Sequence, residues 1–332
     1  MASTSAPTEP EAAQGHSQPI YTQGYSAPVL ASHLSRTVTN SAAFLLPYLY
    51  PYRGRTTSTS TDPDDSVSAR AEVEPAADTE PGDTFTIVDL GCGPGTITAG
   101  FCDYLPPPAP GRRRKVIGID ASAQVVKQAR QKFPKSEYPN LSFVVGDISA
   151  DRLPFDDDSV DVVYTHQTLL HVSDPEVVLR EVYRILKPGQ GHDRGGILAM
   201  REAVGMTFQP ESPGTNQYVS CLDRAVRATG APGFLAGRSL HLWATRAGFA
   251  RENLQVGAGA QCYAGPGPAS EAAWWAGVHV ARLEGEIGQK WLDMQVVETE
   301  EEIEQMKHAL WRWRDREDAW AAVWQGEVLC WK

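Results

Sequence analysis

The segment Val88-Asp89-Leu90-Gly91-Cys92-Gly93-Pro94-Gly95-Thr96 decides the fold, because it places three alternating glycines directly after an apolar run. Residues 85–90 read as a strand, and the glycines let the backbone turn sharply and bring main-chain N–H groups against a ligand at a helix N-terminus. Asp89 sets a carboxylate beside that turn. A dinucleotide fingerprint has its third glycine three positions after the second. Here it follows by two and Thr96 comes next, so the segment departs from the dehydrogenase pattern.

Outward from this turn, residues 115–120, 141–146, 160–165 and 197–201 read as further strands with helical stretches between them. That alternation implies a parallel sheet covered by helices on both faces, since parallel neighbours need crossover connections. Ligands in such folds bind beyond the carboxyl ends of the strands. Asp120 closes one strand in Val116-Ile117-Gly118-Ile119-Asp120, where a carboxylate can accept from both hydroxyls of a ribose. Asp147 ends the next, in Val145-Gly146-Asp147-Ile148, within reach of an adenine amino group. Taken singly, each aspartate reads more often as a helix cap or turn residue. Carboxylates at three successive strand ends together with the glycine turn read as a ligand site.

These motifs, with LPFDDDSVDVVYTHQTLLHV and LREVYRILKPG, resemble the class I S-adenosylmethionine-dependent methyltransferases of the ubiquinone/menaquinone (UbiE-like) type. The resemblance covers residues 85–202 and extends more weakly to residues 21–49. It also reaches a C-terminal region similar to small-molecule members of natural-product pathways. It implies a Rossmann-like α/β fold with a seven-stranded sheet whose last strand is antiparallel. It also implies S-adenosylmethionine as cofactor. Carried over residue by residue, Asp89 and the loop of Gly91, Cys92, Gly93, Pro94 and Gly95 would hold the methionine part. Asp120 would bind the ribose, Ala121 would lie on the adenine, and Asp147 with Ile148 would contact the ring. Thr165 and His166 would flank the sulfonium, and Tyr21 and Arg36 would add contacts from an N-terminal segment that closes over the cofactor. His171 matches a position where similar enzymes carry a histidine near the acceptor, and its ordinary pKa near 6.5 suits a general base. A helix-start histidine bound to a neighbouring loop is the structural alternative. His166 is the lesser candidate for that role.

The chain divides by composition. Residues 1–19 read as a disordered tail and residues 20–52 as a helical lid. In the lid Leu30, Leu34, Val38, Ala42, Leu45 and Leu49 form one helical stripe. Residues 53–83 read as an acidic Ser/Thr/Pro linker, residues 84–204 as the cofactor-binding core, and residues 205–332 as substrate-side helices and final strands. Residues 106–114 and 189–196 read as surface loops. Helices are expected over residues 218–229, 239–247 and 270–286, and Gly248 caps one of them. A capping box of Thr299 and Glu302 opens another helix, and a strand is expected over residues 327–332. Aromatic residues after Met206 read mostly as core, with a subset able to wall an apolar pocket. Trp320 and Trp324 read as part of the last helix.

The 332 residues carry 41 acidic and 30 basic side chains, a net charge of −11, which argues against a nucleic-acid partner. Eight acidic and two basic residues fall within 55–83, and five glutamates lie between Glu298 and Glu304. The remaining body is near neutral, so an uncharged or weakly polar acceptor is expected. The five cysteines show no zinc spacing, the first residues lack a basic signal region, and no apolar run is long enough to span a membrane. The expectation is a cytoplasmic enzyme without metal, monomeric or homodimeric, that methylates O, N or C of an apolar small molecule. Two rivals keep the cofactor motifs: an isomerase or cyclase on this fold, and a cofactor-binding regulatory subunit.

Overall fold

The computed structural model describes residues 27–49, 84–150, 152–189 and 194–332. The proposed tail, the linker, Tyr21 and the middle of the 189–196 loop lie outside the described residues. A seven-stranded sheet runs in the order β3-β2-β1-β4-β5-β7-β6. Its strands are β1 (Thr84–Leu90), β2 (Arg113–Asp120), β3 (Leu141–Val145), β4 (Val162–His166), β5 (Ile197–Gln209), β6 (Leu254–Ala264) and β7 (Trp320–Trp331). Strands β1 to β5 pair in parallel, and β7 is antiparallel to both β5 and β6. The order reverses between β1 and β4, which opens the crevice where doubly wound sheets bind ligands.

Strand alternation builds the two faces. Val88, Val163, Leu198 and Met200 point into one cluster, while Ile87, Val162, Tyr164 and Ala199 point into the opposite one. Helix α5 (Pro175–Ile185) covers the first face through Val178, Leu179, Val182 and Ile185, one apolar stripe at helical spacing. Asp174 caps it by accepting from the Val177 N–H, and Pro175 takes the first-turn position where a missing N–H costs nothing. Each of these buried aliphatic side chains contributes about 1.5–3 kcal/mol. Helices α3 (Thr96–Gly100) and α4 (Ala123–Lys132) cover the second face through Ile97, Ala99, Val126 and Ala129.

The N-terminal stripe is not one continuous helix. It breaks into α1 (Ala27–Leu34), α2 (Val38–Ser41) and a 3-10 turn at Leu46–Tyr48. Thr37 and Asn40 form a capping box that starts the second piece, and the side-chain amide of Asn40 donates to the Ser35 carbonyl. Val38, Ala42, Leu45 and Leu49 still enter the second core, whereas Leu34 is exposed. The loop expected over residues 106–114 is shorter: Arg113 and Arg114 begin β2.

Beyond the common sheet, α6 (Pro213–Arg227), α8 (Glu271–Glu284), α9 (Glu286–Asp293) and α10 (Glu300–Arg314) pack a third cluster against the extended ends of β5 and β7. Phe208, Tyr218, Trp275, Trp291 and Trp313 are its buried rings. Helix α7 (Ala236–Ala247) belongs instead to the first cluster and ends, as expected, on Gly248 in the left-handed region at φ 117°. The expected helix over residues 270–286 is α8, and α9 follows it after Gly285. Trp320 and Trp324 lie on β7, not on a helix. A four-residue spacing puts two side chains on one face in either structure.

Candidate active site

Three consecutive elements build the first cavity from backbone. As β1 ends, the N–H groups of Gly91 and Cys92 both donate to the Ile119 carbonyl, at 2.8 and 3.0 Å, and hook the turn onto β2. Gly91, Gly93 and Gly95 adopt φ of 73°, 52° and 80°, the left-handed region that favours glycine. A Cβ on Gly91 would lie 2.2 Å from Thr168 Oγ1, so the turn can sit against the loop after β4 only without a side chain. A Cβ on Gly93 would meet nothing within 4 Å, because that glycine faces the opening.

The carboxylates follow at the strand ends. Asp120 accepts from the Gly93 N–H through Oδ2 and from the Ser122 N–H through Oδ1, each at 2.9 Å. Burial pushes its pKa up and these two N–H groups hold it back. Asp89 is buried and accepts from Thr98 Oγ1 at 2.6 Å. Burial, against the pull of Thr98 and aided by the nearby Asp120, raises its carboxyl to about 7. Ala121, Asp147 and Ile148 continue the same wall, and the Ser149 N–H donates to Asp147 Oδ1 at 2.8 Å.

The opposite wall comes from β4 and the segment after it. His166 is buried and its Nδ1 meets the Tyr164 hydroxyl at 3.2 Å. That hydroxyl donates to the Ser41 carbonyl at 2.7 Å, so it accepts from His166 and places the imidazole proton on Nδ1. Nε2 is then a buried acceptor without a partner at the cavity. His171 sits on a 3-10 turn, Leu169–His171, whose leading amides are gathered by one carboxylate. Glu202 on β5 accepts from the N–H groups of Thr168 and Leu169 at 3.0 Å and of Leu170 at 3.3 Å. Burial lifts Glu202 to about 7 against these bonds. His171 itself is driven down to about 3, first by burial and then by Arg36.

Arg36, Asp89, Gly91, Cys92, Gly93, Pro94, Asp120, Ala121, Asp147, Ile148, His166 and His171, all expected from sequence, line this one cavity. Gly95 does not; it is the N-cap of α3 and packs on the Phe143 ring. Thr165 does not either, because its hydroxyl turns away toward Glu202, 3.5 Å distant. Sequence reasoning missed His33, Gln167, Thr168 and Glu202. Gln167 carries a left-handed φ of 50°, accepts from Arg36 at 2.5 Å and so ties α1 to the loop after β4. Such strained backbone gathers at functional sites. The one available signal for Glu202 was a charged pair, Arg201-Glu202, inside an apolar strand.

A second cavity adjoins the first and shares His33, Arg36, Gln167 and His171 with it. Its far walls come from β5, α6, a 3-10 turn at Gly233–Leu235, β6 and α8, including Met206, Leu222, Phe234, Tyr263 and Trp275.

A glycine turn facing an open crevice, an Asp120 carboxylate beside it and a lone imidazole acceptor on the far wall fit an adenosyl sulfonium compound. Together with the sheet order and its antiparallel final pair, this is the architecture of class I S-adenosylmethionine-dependent methyltransferases, and the chain belongs to that family. The methyltransferase domain model matches residues 88–191. The protein named as the probable methyltransferase ltbC of Aspergillus luteorubrus is 30% identical over 327 residues, covering 94% of this chain and 97% of its own. An uncharacterized methyltransferase of Schizosaccharomyces pombe is 35% identical over 54% of this chain and 62% of its own. The solved YcgJ protein of Bacillus subtilis superposes with a TM-score of 0.44 at 17% identity, over 76% of this chain and 94% of that one. Among the described residues, no helix is long and apolar enough to cross a membrane.

Proposed function

We propose that this methyltransferase acts on a small, largely apolar organic molecule held in the second cavity, with His171 taking the acceptor's proton. The observation that carries the reading is that His171 lines both cavities. When bound, S-adenosylmethionine supplies a methyl group on a positively charged sulfur, already activated for displacement. The chain's residues therefore mainly align the reactants, which can account for about 7–11 kcal/mol of barrier reduction.

Asp89 and the glycine turn hold the amino-acid end, Asp120 the ribose, and Asp147 with Ile148 the base. Glu202 acts at one remove: by gathering the amides at residues 168–170 it sets the turn that aims His171. Burial keeps His171 unprotonated throughout neutral pH and also makes it a weak base. It therefore takes the proton as positive charge develops on the acceptor atom, onto its unprotonated ring nitrogen. The apolar wall of the second cavity supports a small-molecule acceptor, and the likeness of the C-terminal region to natural-product methyltransferases supports a secondary-metabolic one. The weaker matches to demethylmenaquinone methyltransferases, such as that of Lactococcus lactis at 36% identity over 32% of this chain, support a UbiE-like subtype.

The test is incubation of the purified chain with methyl-labelled S-adenosylmethionine and a library of small organic molecules. Transfer of label into a product heavier by one methylene, with S-adenosylhomocysteine released, is the expected result. Conversion of a molecule without label, or none at all beside intact cofactor binding, would defeat the proposal.

A further inference from the structure

The second cavity is walled by two arginines and three histidines as well as by apolar groups. Arg36, Arg282, His33, His171 and His279 all face it, and among the described residues no aspartate or glutamate does. Arg282 decides the matter. It lies on α8, 7% exposed, and donates through Nη2 to Ser32 Oγ at 2.6 Å. Its Nε is buried without a partner, and among the described residues no carboxylate pairs with it. Arg201 shows what the fold does elsewhere: equally buried, it meets Glu327 at 3.0 Å and donates to the Asn40 carbonyl at 2.9 Å. A buried guanidinium without a counter-charge is costly, and its cost is relieved when an anion arrives.

The surroundings preserve that charge for a ligand. His279 is buried, stacks on Trp275 with centroids 3.8 Å apart and hydrogen-bonds the Tyr218 hydroxyl, so it is locked in place beside the guanidinium. Burial and the neighbouring arginines hold His33 and His279 well below their ordinary pKa, so both stay neutral. Met206, Leu222 and Phe234 supply apolar wall on the same cavity.

Resting on the methyltransferase reading above, we infer that the acceptor is an organic carboxylic acid with an apolar body, its carboxylate anchored by Arg282 on α8. This reverses the expectation of an uncharged acceptor drawn from net charge. Among the described residues no acidic side chain lines this cavity.

The test uses the full chain saturated with S-adenosylhomocysteine and calorimetric titration with benzoate, 3-phenylpropanoate and octanoate, each against its own primary amide. At least one acid binds about tenfold or more tightly than its amide, the lower end of what a charge-assisted hydrogen bond contributes. In Arg282→Gln that preference falls to about twofold or less, and Arg282→Lys, which keeps the charge but loses the fork, is intermediate. Binding of S-adenosylhomocysteine by each variant reports that it is folded; should Arg282→Gln fail there, a reduced preference in Arg282→Lys decides. The inference is overturned if no acid outbinds its amide, or if the preference is unchanged in a folded Arg282 variant. Failure of the wild-type chain to bind S-adenosylhomocysteine would instead strike the methyltransferase reading itself.

Discussion

The two adjoining cavities are built by different means. The first is made mainly of a glycine turn, strand ends and their carboxylates, all within residues 89–172 apart from His33 and Arg36. The second is made of side chains drawn from α1, the loop after β4, β5, α6, β6, β7 and α8, from Ser32 to Val323. A backbone site tolerates little change at a few positions because the main chain itself is the ligand-binding surface. A side-chain site spreads its task over many residues, and its specificity can alter while the sheet stays intact.

Substitution at the turn should have the largest effect. Gly91→Val demands a left-handed β-branched residue and collides with Thr168, so S-adenosylhomocysteine affinity should fall by about a hundredfold or more. Titration calorimetry checks this, and near-wild-type affinity would mean that the backbone turn is not the binding surface. Asp120→Ala comes next: loss of a charged acceptor for the ribose should weaken cofactor binding by about tenfold to a hundredfold. Equal affinity of variant and wild type would remove Asp120 from the site.

Glu202→Gln probes the seam between the cavities. A neutral amide offers one acceptor oxygen to amides now held by two, so the turn bearing His171 should loosen and kcat fall by about tenfold. S-adenosylhomocysteine affinity should shift far less. A parallel fall in both would make Glu202 part of the cofactor site rather than a positioning residue.

The smallest effect concerns pH. His171 is held at about 3 in the folded chain against 6.5 ordinarily, so its contribution to stability is complete above 6.5 and is lost as pH falls toward 3. The slope is at most about 1.4 kcal/mol per pH unit for such a group. His171→Asn should therefore flatten the fall in Tm between pH 6.5 and 5. Raised carboxyls act oppositely: Asp89 and Glu202, each near 7, cost stability as pH climbs from about 4 through 7. An unchanged acid slope in the variant would show that His171 titrates normally. By the same physics, kcat should show no acid limb near 6.5 arising from His171.

Legibility in the sequence followed the same division. The wall of the first cavity was readable because each part is local: an apolar strand, then glycines, or a strand closed by an aspartate. β6 escaped because Leu254–Ala264 is rich in glycine and alanine and largely exposed, leaving no apolar alternation to read. Trp320 and Trp324 misled because their spacing suits a helix turn as well as one strand face. Thr165 was placed at the right strand end but on the wrong side, since one step along a strand reverses the face.

Residue order alone therefore determined the wall of the first cavity: strand ends, glycine turn and carboxylates follow one another along the chain, and short-range backbone geometry brings them together. Only the tertiary structure decided what surrounds the second cavity. Ser32 and Arg282 are separated by 250 positions, yet their side chains meet at 2.6 Å. No periodicity in the sequence could announce that contact, nor that the guanidinium there would be buried without a carboxylate. Burial and the absence of a counter-charge are properties of packing, and they exist only once distant elements have closed around the residue.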